Sequence, residues 1–265
     1  MTSKFPEFVS LHPQHRLRVV ADRPPLSPLV WAMDHVVASP RRDSPEYDTL
    51  LAETFGSSAD WGDEFLFDTA GRRLRSLILT VPEREGDSAE LNLWKNAPSI
   101  AGSISPEREE AYGIDTMDAR VLSSDGRILL CPLHHGAVSS PWRLALADDL
   151  NLLFDGEGYL GWMLTNALAH FGPWATHALE AALAEPDTAF IDAVHELHRL
   201  VLPDSLNALF ESEPSITERL QRLSSLVRTL PRCPRQETLL EKIENLQELA
   251  SEMQNVRSQQ PTDKS

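Results

Sequence analysis

The chain has 265 residues, 42% of them hydrophobic and 24% charged, proportions that suit a folded protein with a substantial core. Its 40 Asp and Glu outweigh 24 Lys and Arg, leaving a net charge of −16. Such a surface repels phosphate backbones and anionic lipid, so neither nucleic acid nor membrane is expected as a partner. Two cysteines are too few for a disulfide framework or a Cys-only zinc site. Residues 1–8 also lack the apolar core of a signal peptide, so the expected location is cytoplasmic and no cofactor is called for.

Taken in order, residues 15–22 alternate polar and apolar and predict a short strand, followed by an extended turn at Pro24, Pro25 and Pro28. Leu29, Val30, Met33, Val36 and Val37 recur at helical spacing, which predicts a first helix closed by Ser39-Pro40. Ser44-Pro45 predicts a second helix start: the serine hydroxyl caps it, and proline suits the first helical position. From Asp63 the period becomes two. Phe65 and Phe67 precede a turn at Asp68–Gly71, and Leu74, Leu77, Leu79 and Val81 follow it. Glu90–Trp94 reads as another short strand, and 82–89 and 96–116 as polar loops. Asp118–Cys131 repeats the hairpin pattern around Asp125-Gly126. Arg143–Ala147 then precedes a central hairpin, Asp149–Leu164, that turns at Asp155-Gly156.

Beyond Asn166 the pattern is helical. Helices are predicted at Trp174–Leu183, Asp187–Leu202 and Pro203–Phe210. Two narrow apolar seams follow, Ile216-Leu220-Leu223-Val227-Leu230 and Leu239-Ile243-Leu246-Ala250-Met253, which suggest a helical hairpin and allow a homodimer through 216–230 and 239–253. The uncharged run Gly158–Leu179 is long enough to span a bilayer, but Gly172-Pro173 breaks it, and a buried strand followed by helices explains it better. The expected fold is therefore α+β: an antiparallel meander of about six to eight strands, with two N-terminal helices and a C-terminal helical subdomain. The corresponding division is 1–60, 61–165, 166–257 and a tail at 258–265.

Cys131, His134 and His135 form the densest candidate catalytic cluster, a thiol and two imidazoles at a strand end. The simpler reading is a core cysteine beside two solvated histidines, since buried free cysteine behaves as a small hydrophobe. His195 and His198, one helical turn apart, are the weak metal candidates; zinc proteases space their histidines four apart, and no third ligand is specified. His170 and His177 meet the same objection. Carboxylate groups at Asp148-Asp149, Asp155/Glu157, Asp60/Asp63/Glu64 and Glu107/Glu109/Glu110 all fall in turn-like segments, where acids cap and solvate. Neither standard phosphate-cradling glycine loop is present.

No catalytic constellation survives this weighing. The expected activity is that of a bacterial cytosolic, non-catalytic protein that binds a macromolecule, in the manner of an immunity, antitoxin or regulatory protein; the acidic balance reads first as a device for solubility, and it would also steer a basic protein partner. Trp142, Asp155, Glu157 and Trp162 around the central hairpin are the expected contact residues. A hydrolase centred on Cys131, His134 and His135, or a small-molecule sensor, are the alternatives.

Overall fold

The structure, a computed structural model, describes residues 5–12, 15–26, 29–57, 62–111, 113–114, 116–133, 137–173 and 186–259. The chain divides into two compact units, Met1–Leu183 and Ala184–Ser265.

In the first unit the elements run β1 (Phe8–His12), β2 (His15–Val20), β3 (Val30–Trp31), β4 (His35–Ala38), α1 (Pro45–Glu53), β5 (Thr54–Gly56), β6 (Glu64–Asp68) and β7 (Leu74–Thr80). They continue with α2 (Ala89–Asn96), β8 (Ser99–Ala101), β9 (Ser103–Pro106), β10 (Val121–Leu122), β11 (Ile128–Pro132), β12 (Pro141–Ala145), β13 (Leu150–Asp155) and β14 (Gly158–Thr165). Nine of these strands form one sheet, whose main path is β8-β12-β13-β14-β1-β2-β9, with β11 on β14 and β10 on β11. A second sheet has the order β3-β4-β7-β6-β5.

This arrangement corrects the simple antiparallel meander. Sequential neighbours do pair antiparallel, as short connections require, but β1–β14 and β8–β12 are parallel pairs between strands remote in sequence. Pairing partners far along the chain need no local crossover, so counting helical connectors cannot reveal them. The large sheet also curls. β8 and β9 stand at opposite ends of its path, yet only Gly102 separates them in the chain. The Gly102 N–H donates to the carbonyl of Ala145, the last residue of β12, at 3.2 Å, and a Cβ there would collide with the carbonyl of Val20 in β2. A glycine is needed where one backbone squeezes between two others.

Two local expectations also change. The segment 29–37 is a hairpin of β3 and β4, closed by the Ala32 N–H donating to the His35 carbonyl at 2.8 Å, with Met33 at φ 72°. Only one helix, α1, therefore lies in this N-terminal region among the described residues. The β-branched and aromatic residues Val30, Trp31, Val36 and Val37 favour a pleated surface, and a run this short satisfies both periods. Conversely, Glu90–Trp94 lies in α2. The Asp87 carboxylate accepts the Ala89 N–H at 2.8 Å, and Leu91 and Trp94 fall one turn apart on the face that packs against Val121, Leu130, Leu153 and Met163 of the large sheet.

The hairpins at Asp68–Gly71, Asp125-Gly126 and Asp155-Gly156 form as expected, Gly126 and Gly156 taking the positive φ that their turns require. Aromatic rings join the two sheets: Phe65 of β6 meets Tyr159 of β14 edge-on at 6.3 Å. Trp31 of β3 meets Phe171 in the same manner at 5.1 Å.

In the second unit, α3 (Thr188–Leu200), α4 (Pro203–Phe210), α5 (Pro214–Thr229) and α6 (Pro234–Gln259) follow one another. Asp187 caps α3 by accepting the Phe190 N–H, and proline opens α4, α5 and α6 at positions where no amide donor is required. The seam residues Ile216, Leu220, Leu223, Val227, Leu239 and Ile243 are buried in the chain itself. Arg219 pairs with Glu196 at 2.8 Å to tie α5 to α3, and Arg228 pairs with Glu244 at 2.8 Å to tie α5 to α6. No helix among the described residues is long and apolar enough to cross a membrane; the uncharged run beginning at Gly158 starts as β14. The helix expected at Trp174–Leu183, and the tail from residue 260 onward, lie outside the described residues.

Candidate functional site

Cys131 sits in the middle of the large sheet, on β11 opposite Trp162 of β14, with no exposed surface. Burial pushes its thiol well above the ordinary range, the Asp63 carboxyl pushes it further, and the nearby Arg120 guanidinium only partly opposes them. An activated nucleophile needs the reverse, a thiolate favoured by its surroundings. His134 and His135 lie outside the described residues.

Two polar groups accompany this thiol between the sheets. The Asp63 carboxyl, fully buried, accepts the Thr80 N–H at 2.7 Å and the Tyr159 hydroxyl at 3.4 Å. Burial lifts it to about 7, against the two donors that favour its charged form. Burial and the adjacent Asp63 together push the Tyr159 phenol well above its usual value. A carboxyl of β6's leading turn and a phenol of β14 thus form a polar rivet between the two sheets. The turn-like setting of Asp63 suggests a solvated acid, and the buried Phe65/Phe67 run immediately after it is the sign that the chain is already inside.

Asp149 and His170 form a second tie. The Asp149 carboxylate accepts from Thr165 Oγ1 at 2.9 Å, Asn166 Nδ2 at 2.7 Å and His170 Nε2 at 2.9 Å, while His170 Nδ1 lies 3.1 Å from the Leu29 carbonyl. Both ring nitrogens are committed, so His170 has none left for a metal. The adjoining backbone continues the tie, the Trp31 N–H donating to the His170 carbonyl at 2.7 Å.

Of the expected contact residues, Trp142 stacks on Phe154 at 4.8 Å and donates from Nε1 to the Gly156 carbonyl at 2.6 Å, almost wholly buried. Burial raises the Asp155 carboxyl, but the Ser140 and Ser139 N–H groups outweigh it and hold the group below its ordinary value; it staples β12 to the turn after β13. Glu157 is exposed at that turn, and Trp162 is fully buried inside the sheet. Trp142, Asp155 and Glu157 thus come together at one end of the hairpin, and Trp162 does not join them. In the second unit His195 and His198 lie on α3, His198 on its buried face. Among the described residues no three His, Cys, Asp or Glu side chains converge as a metal site.

A row of exposed acids lies on α6. Glu237, Glu241, Glu244, Glu248 and Glu252 are all exposed. Their steps of four, three, four and four place them within an arc of about 80°, in a row about 22 Å long. Arg228 pairs with Glu244, while Glu237, Glu241, Glu248 and Glu252 have no ion-pair partner among the described residues. Like charges four apart on a helix repel, so the row costs α6 stability in isolation. The spacing is visible in the sequence, but the apolar seam interleaved with it is the stronger pattern and draws the eye first.

Comparison with protein-family models, with curated proteins and with solved structures finds no match to the chain.

Proposed function

We propose that the protein acts by binding a basic protein, with the glutamate row of α6 as its contact face. The row itself is the observation that carries this reading. Four carboxylates that have no ion-pair partner among the described residues share one helical face and repel one another, and a partner presenting Lys or Arg at matching intervals relieves that repulsion on docking. The net charge of −16 adds long-range steering toward a cation-rich surface and suppresses encounter with nucleic acid. The buried, proton-retaining Cys131 speaks against the thiol hydrolase as the competing reading.

The test is affinity capture from cells that make the protein, at low and moderate salt. The tagged chain is compared with a variant carrying Glu237→Gln, Glu241→Gln, Glu248→Gln and Glu252→Gln. The expected result is one stoichiometric basic protein that the unaltered chain retains, that rising salt releases and that the variant fails to hold. A partner held equally by both chains would place the contact elsewhere.

A further inference from the structure

The first unit carries a cavity of about 200 Å³ where the start of β2 meets the chain that follows β9. Leu17 and Pro106, opposite one another in the β2–β9 pair, supply its apolar lining; Arg16, Glu107, Arg108 and Glu110 supply charge, and His15 an imidazole. A lining that mixes both signs in so small a space is poorly matched to a simple anion or cation. It suits a small molecule that carries both signs itself.

The charged groups fall into two sets. His15 Nδ1 lies 3.2 Å from Glu110 Oε1, so Glu110 is engaged by a neighbour. Arg72, in the turn between β6 and β7, donates to the Glu107 carbonyl and approaches the Glu109 carboxylate at 4.0 Å. These contacts hold the 107–110 loop in place and leave the Glu107 carboxylate, Arg16 and Arg108 without an ion-pair partner among the described residues. The Arg16 Cζ lies over the Phe8 ring, 3.8 Å from its centroid. That contact restrains the guanidinium, whose fork of N–H groups suits two-pronged binding of a carboxylate. Two guanidiniums and one carboxylate are therefore available on a preformed frame.

From this complement we infer that the cavity binds a free acidic amino acid. Its two carboxylates lie on Arg16 and Arg108, and its ammonium on the Glu107 carboxylate. The pairing is charge-balanced, and the glutamate row of α6 plays no part in it. The chain's overall negative charge does not forbid it, because fields from charges beyond about 8 Å are screened at physiological ionic strength.

Isothermal titration of the full chain with L-glutamate and L-aspartate tests the inference. Glutarate (two carboxylates, no amine), L-alanine and sodium sulfate at matched ionic strength serve as comparators. At least one acidic amino acid is expected to bind about tenfold tighter than every comparator. Arg108→Gln should weaken it by about tenfold or more, and Glu107→Gln should bring its affinity down toward that of glutarate. Both substituted side chains are exposed, and an unchanged melting temperature confirms that the variants are folded. Absence of binding by both acidic amino acids, equal binding of glutarate or sulfate, or full affinity in Arg108→Gln would overturn the inference.

Discussion

The two units use carboxylates in opposite ways. In the β-rich unit Asp63 is fully buried and Asp149 half-buried, and each is held by local donors: Thr80 and Tyr159 for the first, Thr165, Asn166 and His170 for the second. In the helical unit the α6 glutamates stand outward in a row, and only Glu244 has an ion-pair partner among the described residues. A buried acid must be satisfied locally because desolvation penalises its charge, and it then serves to join elements. An exposed row of acids contributes nothing to packing and weakens its helix slightly. Polar density in a sequence is thus no guide to function until burial has sorted it.

This contrast can be broken or sharpened by substitution, and the largest effect is expected at the large sheet's core. Trp162→Ala removes a fully buried ring and should cost about 3–5 kcal/mol, read as a shift in the urea midpoint. A cost near zero would mean that the packing of β11, β13 and β14 is not what holds this unit.

Asp63 comes next, and its effect depends on pH. Its folded carboxyl sits at about 7 against an ordinary 3.8. As pH rises from about 4, the unfolded chain gives up this proton first while the folded chain retains it. The contribution to stability is therefore complete below about 4, falls between about 4 and 7 by up to about 1.4 kcal/mol per pH unit, and is flat above. Asp63→Asn keeps an acceptor for the Thr80 N–H and should remove that fall, leaving the variant relatively more stable at pH 8 than at pH 5. Denaturation curves at the two pH values check this; parallel curves for both proteins would show that Asp63 is not buried in its charge-averse setting.

The two thiols give a smaller, kinetic contrast. Cys233 is partly exposed and should react with iodoacetamide in the native protein, whereas Cys131 should react only at the rate of unfolding. Fast native labelling of Cys131 at neutral pH would return it to the list of nucleophile candidates. The smallest stability effect is expected on α6: replacing Glu237, Glu241, Glu248 and Glu252 by Gln relieves repulsion, and the unfolding free energy should be unchanged or higher by about 0.2–0.5 kcal/mol per pair, read as a small rise in melting temperature.

Some of this was legible in the chain. Asp-Gly turns mark the hairpins at Asp125-Gly126 and Asp155-Gly156 because only residues tolerant of positive φ close so tightly, and the α5 and α6 seams are plain because several turns repeat one spacing. The β3–β4 hairpin was not legible, because nine residues of mixed spacing fit a helix as well as a hairpin and Met33 gives no hint that it adopts φ 72°. Nor were β8 and β9, whose Ser-rich segment looks like a loop and becomes strand through partners some forty residues later, in β12, and some eighty earlier, in β2. The tie at Asp149 and His170 joins residues that are ordinary one by one. Only the Glu237–Glu252 row could have been read from spacing alone.

The most direct test of the account is the affinity of the captured basic partner for the unaltered chain and for the four-glutamine variant, each measured across a salt series. For the unaltered chain log Kd is expected to rise steeply with log salt, and the variant to bind weakly with a much flatter dependence. Identical affinities and slopes for the two proteins would contradict it.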